Sequence, residues 1–400
     1  MQKLYLAMVG LPARGKSTLA RRLHEGLRLD GFNAAVFNNG DLRRQLLGSE
    51  STHSDFFNPN NAAASAARHS ICIQNLNAAR DFLRYGGDVA ILDATNASPQ
   101  RRAFIEKTLD DHPVIFIECV NEDPLLQKLC IERKAELQEY SNYSREEACE
   151  SFRQRIAYYD TVYQPLEHER FWIRVDPTSN RILDEHPCES SSYYPAIRDT
   201  LVTTWVRRLY LVRHGQTEYN IVGRIGGDPN LSDKGREQAN ALARHMRTKY
   251  IPFLFTSTKT RSMQTAAPVL ESRPKTKIIA LNEFDEIRAG DCENMRYEDI
   301  RREMPQVTAA RNANKYAYAY PNGESYAMLI ERVRRGLQRA LFIAGDDPLM
   351  IIGHQAINRV ILSLFLRRRS EDIPYTFVPQ NQYYHISSMP RKKLFELVPY

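Results

Sequence analysis

Leu209-Tyr-Leu-Val-Arg-His-Gly-Gln-Thr-Glu-Tyr-Asn220 decides how the second half of the chain is read. Its first four residues carry the aliphatic and aromatic side chains of a buried strand, and Arg213-His214-Gly215 falls where that strand ends. A histidine there is a poor core residue. It is a good nucleophile when neighbours keep its imidazole neutral and oriented, and when cations await the phosphoryl group it would accept. The arrangement recurs after Leu349-Met-Ile-Ile352 as Gly353-His354-Gln355. Two histidines therefore leave two strand ends, and open α/β sheets gather their chemistry at the carboxyl ends of strands.

Four hundred residues exceed one ordinary core, so two domains are expected, 1–205 and 206–400, with the boundary close to Trp205. A hydrophobic content of 42% with 26% charged residues describes a soluble globular chain. The formal net charge of +7 admits nucleic acid, an acidic membrane or anionic metabolites as partners. No basic run is interleaved with aromatics, and several arginines fall inside phosphate-type motifs, which points to small anionic substrates and to neither nucleic acid nor membrane. Arg367-Arg-Arg369 and Lys392-Lys393 read as solvated surface. The six cysteines are widely spaced without a Cys-x-x-Cys pair, as expected of reduced thiols in a cytoplasmic protein. The apolar start, Leu4 to Pro12, runs directly into a glycine-lysine loop and lacks a small-residue cleavage site. No stretch approaches the roughly 18 continuous apolar residues of a membrane span.

In the first half, Leu4-Tyr-Leu-Ala-Met-Val9 precedes Gly10-Leu-Pro-Ala-Arg-Gly15-Lys16-Ser17-Thr18, and a helical pattern with Leu19, Leu23 and Leu27 on one face follows. Strand, phosphate loop and helix stand in the order a P-loop requires. The glycines let backbone N–H groups close on nucleotide phosphates, Lys16 reaches their terminal oxygens, and Ser17 offers a hydroxyl to Mg²⁺. Further apolar runs at Ala34–Phe37, Val89–Leu92 and Val114–Ile117 alternate with helical stretches, which predicts a doubly wound parallel sheet. Asp93, just past an apolar strand, is placed to hold Mg²⁺ or its water, or to take a proton from an attacking hydroxyl; a helix N-cap is its other reading. The polar, proline-bearing texture between Val175 and Arg208 predicts a connector with a short helix near Tyr194 to Thr203.

In the second half, the run from Arg224 to Glu237 reads as an exposed loop closing into a capped helix, with Gly226 and Gly227 permitting close backbone approach to a ligand. Phe253-Leu-Phe255 is a strand, and Arg261 opens the next helix, where it can meet an anion at His214. Tyr316, Tyr318 and Tyr320 read either as an alternating edge segment or as part of a substrate clamp.

These motifs carry a family resemblance. Gly-Leu-Pro-Ala-Arg-Gly-Lys-Ser, Val36-Phe-Asn38-x-Gly40-x-x-Arg43-Arg44, Asp93-Ala-Thr-Asn96 and Arg155-Ile-x-x-Tyr159-x-x-x-Tyr163-x-Pro165-Leu166 resemble the kinase half of the bifunctional 6-phosphofructo-2-kinase/fructose-2,6-bisphosphatases. Arg-His-Gly, Arg224-Ile-Gly-Gly-Asp-Pro-x-Leu-Ser, Thr-Ser-x-x-x-Arg261-x-x-Gln264-Thr-Ala, Arg311-x-x-x-Lys315-Tyr-x-Tyr-x-Tyr-Pro-x-Gly-Glu-Ser-Tyr326 and Gly-His-Gln-Ala-x-x-Arg359 resemble the bisphosphatase half. That half is a histidine phosphatase of the phosphoglycerate mutase type.

The resemblance implies ATP as phosphoryl donor with Mg²⁺, fructose 6-phosphate as acceptor, and hydrolysis of fructose 2,6-bisphosphate through a phosphohistidine. It places the sugar phosphate of the kinase on Arg43, Arg68, Thr95, Arg101, Lys134, Arg155 and Tyr159. In the phosphatase it makes His214 the nucleophile, with Arg213, Arg261 and His354 around the transferring group and Asn220 and Gln264 as further donors. Arg311, Lys315, Tyr326, Gln355 and Arg359 would take the 6-phosphate, with Tyr297 nearby, and a homodimer is implied.

The sequence departs from the family in three places. Asn121 stands where a cysteine is usual in the animal enzymes, so nothing dependent on that thiol is expected. Gln216 replaces a glutamate. Leu281-Asn-Glu283-Phe-Asp-Glu286-Ile-Arg-Ala-Gly290 offers two candidate acids, of which Glu286 keeps the downstream match. Other readings compatible with the residues are a P-loop kinase for another small metabolite fused to a broad phosphatase, and a silent sensor of nucleotide and sugar phosphates. The intact Lys16, Ser17, Asp93, His214, Arg261 and His354 weigh against a sensor, since a pure binder has no need of a nucleophile.

Overall fold

The computed structural model describes residues 3–366 and 368–400; Arg367 lies outside them. The chain divides into two compact units, one ending at Thr204 and the other beginning at Trp205.

The first unit is built on a six-stranded sheet in the order β2-β3-β1-β4-β5-β6. Its strands are β1 (Leu4–Val9), β2 (Ala34–Asn38), β3 (Val89–Asp93), β4 (Val114–Cys119), β5 (Trp172–Asp176) and β6 (Arg181–His186). The first five are parallel, and β6 returns antiparallel to β5. β1, β3 and β4 are buried along their whole length, as central strands covered on both faces must be. Leu19, Leu23 and Leu27 of helix Lys16–Leu29 pack on one face of the sheet, and Leu76, Ala79 and Leu83 of helix Ala62–Arg84 on the other.

The stretch from Val175 to Arg208 is more than a connector. Asp176-Pro-Thr-Ser-Asn180 is the turn of a hairpin joining β5 to β6, with Asn180 at φ 51°. β6 is a mostly exposed edge strand, so it shows no apolar run to read. Helix Tyr194–Val202 follows, and its Tyr194, Ile197 and Leu201 join the first unit's core.

The second unit has the sheet order β12-β11-β7-β10-β8-β9. Here β7 (Val206–Arg213), β10 (Leu349–Gly353), β8 (Phe253–Thr256) and β9 (Lys277–Ala280) are parallel, while β11 (Gln382–Met389) and β12 (Lys392–Pro399) close one edge antiparallel. The exposed Lys392 and Lys393 open the edge strand β12, where charge discourages pairing with another chain. All six cysteines are free. Among the described residues no helix is long and apolar enough to cross a membrane.

Gly10 ends β1 at φ +132°, and a Cβ there would stand 2.7 Å from the Cys119 carbonyl oxygen; at Gly31, φ +87°, a Cβ would meet open space. Gly10→Ala is expected to destabilise the first unit by more than about 2 kcal/mol, and Gly31→Ala by only about 1 kcal/mol. Hydrogen exchange of the β1 amides would read the difference.

Candidate active sites

In the second unit the register of two parallel strands makes the site. Gly353 lies opposite Arg213, so β10 and β7 each deliver the next residue, a histidine, to one crevice. The His214 amide donates to the Gly353 carbonyl at 3.0 Å, and the two imidazole centroids are 5.1 Å apart. His214 Nδ1 meets the Gly215 carbonyl oxygen at 2.8 Å. A carbonyl can only accept, so Nδ1 carries the proton and Nε2 keeps its lone pair. Burial first, then Arg261 and Arg213, hold this imidazole well below its ordinary pKa, so it is neutral at pH 7.

His354 is fully buried behind that ring. Arg261 Nε donates to its Nδ1 at 3.2 Å, which leaves the proton on Nε2 to reach Ser257 Oγ at 2.7 Å. Both nitrogens are therefore engaged, and His354 braces the Arg261 guanidinium. Ser257, itself fully buried, lies inside the Thr-Ser-x-x-x-Arg motif, but its residue type alone does not announce a role.

A cavity of about 270 Å³ opens above His214. Among the described residues lining it, six are arginine or lysine and one, Glu286, is a carboxylate. Glu286 Oε1 accepts from the amides of Ile287 (3.0 Å) and Ala356 (3.2 Å), which fixes the carboxylate beside the start of helix Gln355–Phe365. Glu283 is turned away from the cavity and pairs with Arg339.

Arg213, Asn220, Gly226, Arg261, Tyr297, Arg311, Lys315, Tyr326, Gln355 and Arg359 all line the same space. So do Tyr318 and Tyr320, from a segment that is not a strand. Gln264 does not line it: its amide accepts from Leu231 N at 2.8 Å and donates to Asn230 at 2.9 Å, fastening the loop that carries Gly226. Gln216 accepts from Ser232 Oγ at 2.9 Å.

The first unit carries a larger cavity, about 640 Å³, at the carboxyl ends of β1 and β3. Gly15, Lys16, Ser17 and Thr18 form one wall, with Gly15 capping helix Lys16–Leu29 in a left-handed conformation. Ala13 also has a positive φ, 64°, a conformation that costs energy outside glycine and is held here by the loop. Gly10 does not face the cavity; its amide donates to Thr95 O at 3.1 Å and ties the loop to the end of β3. Lys16 Nζ donates to Leu11 O at 2.7 Å, and burial pushes its ammonium down to about 8.

Asp93 ends β3, and the N-cap of the following helix is Ser98. Burial raises the Asp93 carboxyl, while Ser17, Lys16 and Asn38 pull it back. Arg43, Arg68, Thr95, Arg101, Lys134, Arg155 and Tyr159 all line this cavity. Arg102, unforeseen from sequence, is almost fully buried and donates to Ala97 O (2.9 Å) and Gln164 O (3.1 Å), clamping two loops of the cavity wall. Glu139, also unforeseen, lines the cavity from a 3₁₀ turn and pairs with Arg43. Asn121 does not line it; its Oδ1 accepts from Asp123 N at 2.9 Å.

A phosphate loop with its helix in one unit and a paired-histidine crevice in the other define a chain of two phosphoryl-transfer folds, a P-loop kinase followed by a histidine phosphatase. Residues 1–175 match the family model described as 6-phosphofructo-2-kinase, and residues 209–398 match the histidine phosphatase superfamily (branch 1). The chain is 35% identical over 386 residues to the 6-phosphofructo-2-kinase/fructose-2,6-bisphosphatase 1 of Rattus norvegicus, covering 93% of this chain and 79% of that protein. The Homo sapiens protein of the same name gives the same identity and coverage, and the Rattus norvegicus protein 3 is 34% identical over 94% of this chain and 68% of its own length. The chain belongs to the bifunctional 6-phosphofructo-2-kinase/fructose-2,6-bisphosphatase family.

Lys315 sits in the phosphatase cavity with its ammonium pushed down to about 8 by burial and by Arg311 and Arg359. A lysine so shifted is cationic below that pH and neutral above it. Inhibition of 4-nitrophenyl phosphate hydrolysis by inorganic phosphate should therefore weaken as pH rises from about 7 to about 9. Lys315→Met should bind phosphate more weakly at pH 7.5 and lose most of that pH dependence.

Proposed function

We propose that this chain both makes fructose 2,6-bisphosphate, from ATP and fructose 6-phosphate, and hydrolyses it back to fructose 6-phosphate and phosphate. The observation that carries the reading is the pair of cavities, each lined by cations in excess over carboxylates, one beside a phosphate loop and one over a neutral, oriented imidazole.

In the kinase unit, the loop amides and Lys16 hold the nucleotide's phosphates, and Thr18 lies beside them. Arg43, Arg68, Thr95, Arg101, Lys134, Arg155 and Tyr159 hold the sugar phosphate, which brings the 2-hydroxyl to Asp93. A carboxylate whose proton affinity is raised by burial is a better acceptor for that hydroxyl's proton than an exposed aspartate. Mg²⁺ fits the donors present: the Ser17 hydroxyl and the Asp93 carboxylate, which line the same cavity, are hard oxygen ligands. When bound, the ion would neutralise charge on the nucleotide phosphates.

In the phosphatase unit, His214 Nε2 attacks the 2-phosphate. Arg213 and Arg261 offset the negative charge that grows on the equatorial oxygens, and His354 keeps Arg261 aimed. Glu286 protonates the departing sugar oxygen, then takes a proton from the water that breaks the phosphohistidine. The 6-phosphate rests on Arg311, Lys315, Tyr326, Gln355 and Arg359, with Tyr297 closing the side. Domain limits at 1–205 and 206–400, a cytoplasmic setting suited to six free thiols, and a homodimer complete the reading.

Incubation with ATP, Mg²⁺ and fructose 6-phosphate should yield an acid-labile sugar bisphosphate; no such product means the kinase assignment is wrong. On the phosphatase side, labelled phosphate from fructose 2,6-bisphosphate should appear on the protein as an acid-labile, base-stable adduct, and His214→Ala should abolish it. Glu286→Gln is expected to slow hydrolysis about 10²- to 10⁴-fold. Glu283→Gln should retain most activity, and the reverse ranking would move the acid to Glu283.

A further inference from the structure

Among the described residues lining the first unit's cavity, eight are arginine or lysine and two are carboxylates. Asp93 belongs to the nucleotide end, bonded to Asn38 beside Lys16 and Ser17. Glu139 does not. It stands on the single 3₁₀ turn Gln138–Tyr140, and its side chain, 7% exposed, pairs with Arg43 and, at 3.3 Å, with Arg44. A carboxylate here has the wrong sign for a site that takes a sugar's phosphate, because it repels the incoming anion.

Nor is Glu139 needed to aim Arg43. Arg43 Nη1 also donates to Ser51 O at 2.7 Å, and its guanidinium lies 5.2 Å from the centre of the Phe57 ring. Arg155 covers the same ring at 3.9 Å, and Lys134 stands close enough to feel both Arg155 and Arg44. Without a counter-charge the empty cluster would be a set of mutually repelling, desolvated cations, an expensive arrangement in low dielectric. Guanidinium N–H groups donate to a carboxylate or a phosphate in the same forked geometry, so one can replace the other with little movement of the arginines.

We propose that Glu139 is the resident counter-anion of the sugar-phosphate subsite: it occupies Arg43 and Arg44 until a phosphate monoester displaces it, and so sets the affinity of that subsite. The inference rests on the kinase reading for the identity of the sugar, but needs only a phosphate to be tested.

Glu139→Gln keeps the shape and an acceptor for Arg43 while removing the charge. Equilibrium dialysis with labelled inorganic phosphate would be run on the full chain carrying Arg261→Ala, Lys315→Met and Arg359→Ala, which disables both phosphate positions of the second unit's cavity, with a non-hydrolysable ATP analogue filling the P-loop. In that background Glu139→Gln should bind phosphate about tenfold tighter than its parent, and Glu139→Asp should stay near the parent. In otherwise native protein the KM for fructose 6-phosphate should fall by a similar factor, with kcat changed less than about twofold. Unchanged or weaker phosphate binding in a folded Glu139→Gln protein would overturn the proposal. Weakening in both variants would mean that Glu139 merely braces Arg43. Tighter phosphate binding without turnover of the sugar in either protein would sink the kinase reading and leave the counter-anion standing.

Discussion

One backbone hydrogen bond, from the His214 amide to the Gly353 carbonyl, fixes the phosphatase site. It continues the parallel ladder of β7 and β10 one residue past Arg213, so the two histidines must leave the sheet side by side. A one-residue slip would send one imidazole to the opposite face and part the rings. The ladder is hard to slip: Leu209, Leu211 and Val212 pair with Leu349, Ile351 and Ile352, and all six are buried. Asn358, buried on the helix after His354, adds a bond from Nδ2 to Val212 O at 2.8 Å.

The second constraint is what to do with desolvated cations before a phosphate arrives. Several basic groups of the two sites rest on backbone carbonyls: Lys16 on Leu11, Arg261 on Gly227 (2.9 Å), Arg213 on Val378 (3.1 Å) and Arg359 on Thr376 (2.8 Å). Lys315 reaches Pro374 O at 3.3 Å, so three cations of one cavity share the carbonyls of 374–378. A carbonyl satisfies an N–H without neutralising its charge, and the positive field survives for the substrate. A carboxylate on every cation would have cancelled the field that captures the ligand. Glu139, on Arg43 and Arg44, is the place where the first unit departs from this practice.

Much of this was legible in the sequence, for identifiable reasons. Leu4–Val9, Val89–Leu92, Val114–Ile117, Leu209–Val212 and Leu349–Ile352 are unbroken apolar runs because both faces of their sheets are covered there. β6 escaped notice because an exposed edge strand has no reason to be apolar, and β5 because Arg174 and Asp176 interrupt its buried Trp172, Ile173 and Val175. The site arginines came from motif position, yet motif position could not show that Gln264 fastens a loop or that His354 stands behind Arg261. Arg102 and Glu139 carried no signal at all. Their partners are 62 and 96 positions away in the chain, and such distances close only in the fold.

The acid-bearing loop shows why spacing alone left two glutamates open. The loop is pinned on both sides of Glu286. Before it, Asp285 accepts from the Thr258 amide at 2.8 Å and from its hydroxyl, and Glu283 is taken by Arg339. Arg332 gathers the carbonyls of Glu283 (2.9 Å) and Asp285 (2.8 Å) while Glu324 holds Arg332. After it, Glu324 accepts from Arg288 N at 3.1 Å, and Gly290 turns at φ +53° against Pro321. With three acids spent as anchors, the carboxylate left facing the cavity is Glu286. The short 3₁₀ turn Asn282–Phe284 carries Glu283 to Arg339 and away from the cavity.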